Sequence, residues 1–273
     1  MLVMITNKCF ENCPHCMECS NPNGKHMDIE TFRNAIKFAN SIGSNIITLS
    51  GGEPTTHPDF FMFCKALNNV YKKPFSVVSN GTWCLENSWN DDIPKIERQI
   101  RRMCSDFKYF VGMQVYSNNL FYKDYDAIKS KEQYFKSLGE KVNFDEEPIH
   151  SMQDLGRART CDVAKKMCDE SKYHMSCLNA TLIAKQITNP KDYGKTIEMQ
   201  AHQFCHPMVD FNGDVHLSES WLCQSVGNVN TDTFSDIWNN IKAYKPCGGC
   251  KGCKKFNESE DPRIVMARNI INN

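Results

Sequence analysis

LVMITNKCFENCPHC, residues 2–16, decides how the rest of the chain is read. Its first five residues are an apolar run rich in β-branched side chains, which predicts a strand over Leu2–Thr6. Directly after it, Cys9, Cys13 and Cys16 stand in a CxxxCxxC spacing that differs from a zinc-type CxxC pair. Three thiolates on one short loop can hold three irons of a cubane cluster and leave the fourth iron open to an outside ligand. Cys19 extends the pattern to CxxxCxxCxxC. It is an alternative ligand or a candidate reactive thiol, but a fourth ligand on the cubane would close the open corner.

Outward from this loop, short apolar runs alternate with amphipathic stretches. Strands are predicted at 45–50, 75–79, 109–116, 142–144 and 148–152, and helices at 28–41, 60–69, 93–104 and 127–138. Such alternation implies a parallel sheet with helices outside it. A full eight-stranded barrel takes about 250 residues, against roughly 155 here, so an incomplete barrel of about six strands is expected. After Gly156 a helical pattern with scattered cysteines runs to about Ile187, and Phe204–Val215 alternates around Asn212-Gly213, a hairpin signal. Few apolar residues remain there for a separate core, so a metal site is a candidate source of folding energy.

Composition narrows the function classes. Lys and Arg number 32 and so do Asp and Glu, so no global field draws the protein to nucleic acid or anionic lipid. No stretch approaches the roughly 20 apolar residues needed to span a bilayer, and the opening MLVMIT lacks a basic n-region. A cytoplasmic protein without membrane or nucleic-acid partners is expected. Fifteen cysteines without a secretory signal fit metal binding in a reducing compartment better than a disulfide scaffold. Cys64 and Cys104, each single in apolar surroundings, read as small buried hydrophobes.

Two further motifs end predicted strands. Gly51-Gly52-Glu53-Pro54 follows the second, where two glycines permit close backbone approach and Glu53 or a carbonyl can accept from an ammonium. Ser79-Asn80-Gly81 closes the third, where short hydroxyl and amide side chains suit sugar hydroxyls. With the CxxxCxxC loop, these resemble the radical S-adenosylmethionine (SAM) superfamily, whose fold is a partial (β/α)6 TIM-like barrel. The resemblance implies a [4Fe-4S] cluster on Cys9, Cys13 and Cys16, and SAM bound by Gly51, Gly52, Glu53, Pro54, Ser79 and Asn80. His15 fills the usual aromatic position before the third cysteine. On the fourth strand, Gln114-Val115-Tyr116-Ser117 replaces the usual serine and aspartate, with Gln114 the candidate contact.

Leu155-Gly156-Arg157-Ala158 resembles the GRA motif where such barrels pass into a small SPASM or twitch extension with a β-hairpin and auxiliary clusters. The implied division is a barrel over 1–160 and an auxiliary-cluster region over 161–273. One auxiliary [4Fe-4S] cluster is expected on Cys205, Cys223, Cys250 and Cys253, with Cys247 as an alternative. Ser218 stands where a SPASM hairpin usually carries a cysteine. Cys161, Cys168 and Cys177 are extra ligand candidates, and Cys161 and Cys177 are candidate catalytic thiols. A structural zinc on the same residues is the competing reading.

The resemblance implies reductive cleavage of SAM to a 5′-deoxyadenosyl radical, then hydrogen abstraction from a peptide or small polar substrate. An auxiliary cluster points to net oxidation, as in a crosslink or dehydrogenation. A redox-neutral epimerase and a non-catalytic zinc or iron–sulfur module are the alternatives. An external donor such as flavodoxin or ferredoxin is implied. Because the sequence reaches its first strand at once, a peptide substrate calls for a separate recognition protein.

Overall fold

The computed structural model describes residues 1–86, 89–145, 156–164, 176–199, 207–217 and 221–245. Five short parallel strands come first: β1 (Leu2–Thr6), β2 (Ile47–Gly51), β3 (Phe75–Ser79), β4 (Phe110–Tyr116) and β5 (Val142–Asp145). Between them run α1 (Ile29–Ser41), α2 (Phe60–Ala66), α3 (Ile93–Asp106), α4 (Tyr125–Lys129) and α5 (Glu132–Leu138). This is the expected α/β partial barrel. The sixth predicted strand, 148–152, lies outside the described residues.

Local chemistry sets these elements. Asp28 caps α1 by accepting from Thr31 N–H at 2.7 Å, and Asp92 caps α3 by accepting from Lys95 N–H at 2.9 Å. Phe32 on α1 stacks on Phe63 of α2 at 4.0 Å between ring centroids, and Phe75 meets Phe110 beneath the sheet at 5.4 Å. Each such fully buried ring contributes about 1.5–3 kcal/mol relative to exposure. The single helix expected over 127–138 is broken in two. Ser130 Oγ donates to Ala127 O at 2.7 Å, and Lys131 N–H turns to Ile128 O, so the helical ladder is interrupted between α4 and α5. The helix begun as α2 runs on as a π-helical turn, Leu67–Tyr71.

The later elements join the same sheet. They are α6 (Ser176–Gln186), α7 (Tyr193–Met199), β6 (Met208–Val209), β7 (Asp214–His216), β8 (Ser225–Asn228) and α8 (Phe234–Ala243). Strand order is β5-β4-β3-β2-β1-β6-β7-β8, with β6 parallel to β1 and β7 and β8 antiparallel. The hairpin expected around Asn212-Gly213 joins β6 to β7, with Gly213 N–H donating to Asp210 O and Asp210 N–H to Asp214 O, both at 2.9 Å. The Asp210 carboxylate accepts from Asn212 N–H at 2.8 Å and from Asp214 N–H at 3.0 Å. One continuous buried cluster holds Val3, Phe75, Val215 and Trp238 together. The described part of the second region therefore draws its packing from the barrel. Among the described residues no helix is long and apolar enough to cross a membrane.

Candidate active site

The segment between β1 and α1 folds back on itself at the C-terminal end of the sheet. Asn7 N–H donates to Lys25 O and its Oδ1 accepts from Lys25 N–H at 2.6 Å, while Cys9 N–H donates to Asn21 O at 3.0 Å. The neighbouring strand end then grips this base. Gly52 N–H donates to Thr6 O and Glu53 N–H to Lys8 O, both at 2.8 Å. A Cβ on Gly52 would stand 2.4 Å from Lys8 O and 2.8 Å from the Cys9 Cβ, so only glycine admits the cysteine loop here.

Glu53 extends the grip to β3. It is fully buried, and its carboxylate accepts from Thr55 N–H, Thr55 Oγ1, Ser79 Oγ and Asn80 N–H at 2.6–3.1 Å. Burial raises its pKa, and those donors oppose the rise. The side chain is thus committed to tying β2 to β3, and no oxygen is left over for an ammonium. Asn80 in turn donates from Nδ2 toward Cys9 Sγ at 3.5 Å.

Above these strand ends lies a cavity of about 370 Å³, within the range of small-molecule sites. Cys9, Cys13, Cys16, Gly51, Gly52, Ser79 and Asn80 all line it. Sequence reasoning missed Glu11, Ser20, Ser117, Tyr122 and the Arg157 side chain as wall residues. Ser117 had a signal, since it stands in the quoted fourth-strand motif. Four buried polar atoms of the wall have no hydrogen-bond partner: Glu11 Oε1, His15 Nδ1, Ser20 Oγ and Ser117 Oγ. Orphans of this kind are costly unless an occupant pairs with them.

The thiols are suited to a positively charged occupant. Burial pushes the Cys9 thiol up to about 12 and raises that of Cys13, where the Glu11 charge adds to the rise. A thiolate therefore needs a cation to form here. Among the described residues no three His, Cys, Asp or Glu side chains gather tightly enough for a single ion. Cys9, Cys13 and Cys16 all line the cavity. Burial and then the Arg157 charge lower His15 to about 4, so the ring is neutral at physiological pH. It packs against Phe121 at 4.3 Å and Tyr122 at 5.4 Å. Burial, then the Asp124 carboxylate, which accepts a hydrogen bond from protonated Glu11, raises Glu11 to about 7.

The other candidates lie elsewhere. Pro54 is buried beside Glu53 and Gln114 is half-buried on β4; neither lines the cavity. Cys19 is half-buried at φ +50°. Cys161 packs on a small apolar cluster of Phe121, Ala158 and Ala164, and Cys177 sits in the main core. Cys223 precedes β8, with its carbonyl 2.9 Å from His216 Nδ1. Cys168, Cys205, Cys247, Cys250 and Cys253 fall outside the described residues.

A family model described as the Radical SAM superfamily matches residues 3–138. No curated protein matches the chain. Among solved structures, native anSMEcpe with bound AdoMet and Cp18Cys peptide is 14% identical, with a TM-score of 0.49 over 99% of this chain and 94% of that one. Streptococcus suis SuiB bound to S-adenosylmethionine is 10% identical, with a TM-score of 0.47 over 96% of this chain and 74% of that one. SuiB bound to precursor peptide SuiA is 11% identical, with a TM-score of 0.49 over 92% and 68%.

Proposed function

Residues 3–138 form a radical SAM domain, and from that premise we propose that the protein cleaves SAM reductively and abstracts a hydrogen atom from a peptide or small polar substrate. One observation carries the reading: the CxxxCxxC loop, the Gly51-Gly52 backbone and the Ser79-Asn80 side chains, from three strand ends, line one cavity.

The family implies a [4Fe-4S] cluster and SAM, and the wall fits both. Cys9, Cys13 and Cys16 would hold the cluster, and the orphaned Glu11, Ser20 and Ser117 atoms are free to pair with polar parts of the bound molecules. When bound, the reduced cluster supplies the electron that splits SAM into methionine and a 5′-deoxyadenosyl radical, which takes the substrate hydrogen. The protein's own contribution is placement. Asn80 offers an N–H to the Cys9 sulfur, Gly51 and Gly52 bring bare backbone to the cavity, and neutral His15 with Phe121 and Tyr122 builds an aromatic wall.

The proposal extends to residues 161–273 as an auxiliary-cluster region, with one [4Fe-4S] cluster on Cys205, Cys223, Cys250 and Cys253, or Cys247 in place of one CxxC member. Its support is that Cys223 lies two residues from Trp221, which hydrogen-bonds to Glu18 of the first loop. Net oxidation of the substrate, with an external flavodoxin- or ferredoxin-like donor for the first electron, is the proposed outcome. Anaerobic reconstitution with iron, sulfide, SAM and dithionite tests the core of this reading. Wild-type protein should release 5′-deoxyadenosine and Cys13→Ala should release none; equal release from both removes it.

A further inference from the structure

The cysteine loop is held on a second side, by residues far along the chain. Gly156 adopts φ +54°, and a Cβ there would stand 2.5 Å from Met17 O and 2.8 Å from Cys16 O. The next residue reaches three carbonyls of the loop. Arg157 N–H donates to Cys16 O at 3.0 Å, its Nε to Cys13 O at 2.8 Å and its Nη1 to Ser20 O at 3.0 Å. These carbonyls span the loop from Cys13 to Ser20, and Arg157 itself forms part of the cavity wall. Met17 and Tyr122 pack against the small apolar cluster containing Ala158, just past Arg157. Nearby, Trp221 donates from its backbone N–H to Glu18 Oε2 at 3.2 Å and from its indole to Glu18 O at 2.8 Å, with its ring braced on Phe211.

We infer that Arg157 is a positioning residue of the thiol loop: from the start of the C-terminal region it sets the course of Cys13–Ser20, and with it the separation of the Cys13 and Cys16 sulfurs. A rigid fork is needed for this. Two carbonyls seven residues apart in sequence are bridged by one planar group, whereas a lysine ammonium offers only a point of charge. Trp221 is the lesser brace on the same half. Only the cluster arm of the test below rests on the proposed radical SAM reading.

The full-length chain is compared with Arg157→Gln, Arg157→Lys and Trp221→Phe. In cluster-free protein, amide hydrogen exchange reads the loop directly, with no need for iron. Arg157→Gln should speed exchange at Cys16 and Cys19 about tenfold, the scale of losing charged hydrogen bonds, while β2 and β3 stay protected. Arg157→Lys should recover part of that protection. Unchanged exchange at Cys16 and Cys19 overturns the inference. If Arg157→Gln unfolds as a whole, Trp221→Phe decides, with faster exchange confined to the loop supporting the brace and unchanged exchange refuting it. After anaerobic reconstitution, the SAM-induced change in the EPR spectrum of the reduced cluster should be lost in Arg157→Gln and partly restored in Arg157→Lys. A full SAM response in Arg157→Gln also counts against the inference. Wild-type protein that takes up no iron instead defeats the proposed function and leaves the exchange result to judge Arg157.

Discussion

The two halves of the cysteine loop are held by different parts of the molecule. Around Cys9 the grip comes from neighbouring strand ends, through Gly52 and Glu53 N–H groups on β1-side carbonyls and Asn80 against the sulfur. Around Cys13–Ser20 it comes from Arg157 and Trp221, far downstream. The first half is built from local βα connections that form with the barrel. The second is completed only when the later chain docks. The difference teaches that a motif contiguous in sequence can depend on two separate parts of the fold.

The contrast breaks most sharply at Glu53. Replacing it with alanine strands four buried donors, and unfolding stability should fall by about 3 kcal/mol or more. A urea titration would read this as a lower midpoint at unchanged slope, with Glu53→Gln falling less. Local exchange should rise first around Cys9 and Asn21, leaving Cys16 and Cys19 less affected. Loosening of Cys16 and Cys19 alone would dissolve the distinction between the halves.

Acid probes the base of the barrel-held half with a smaller effect. His26 bridges to Thr6, and burial, then the His57 and Lys8 charges, lower its pKa from 6.5 to about 4. The folded state therefore binds this proton less readily than the unfolded chain. Stability is fully present above about 6.5 and is lost as pH falls toward 4. Urea midpoints of wild type and His26→Gln, equal in trend above pH 6.5, should diverge between 6.5 and 4 with the wild type declining faster. Parallel curves would discharge His26 from this role.

Cys161 gives the smallest effect. It packs beside the extension-held half, so Cys161→Ala should cost about 1 kcal/mol or less and leave reconstituted iron content unchanged. A drop in bound iron would instead make it a ligand and enlarge that half.

Much of this site is legible before any coordinates. Cys9, Cys13 and Cys16 share one loop, and Gly51, Gly52, Ser79 and Asn80 each close a strand, so spacing and strand periodicity bring all of them to one end of a parallel sheet. What escapes is whatever depends on distant pairing. Trp221 carries no local mark of its bond to Glu18, and Arg157 is visible only as part of a GRA motif, not as the partner of Cys13 and Ser20. Glu53 shows the other limit. Its carboxylate looks available for a ligand until its four donors are counted, and two of them, Ser79 Oγ and Asn80 N–H, come from a strand whose place only the fold sets. The helix break at Ser130 likewise turns on one hydroxyl choosing Ala127 O.

The parallel pairing of β1 with β6 has a consequence for synthesis. Leu2 and Val3 lie opposite Met208 and Val209, strands separated by most of the chain. As the polypeptide leaves the ribosome, one edge of β1 stays unpaired until the hairpin emerges, and closing so long a loop is slow. Through that interval β1 presents an open row of backbone donors and acceptors, the surface on which misassembly starts. Chaperone demand and inclusion-body formation should therefore concentrate on truncated or slowly translated chains that stop short of β6.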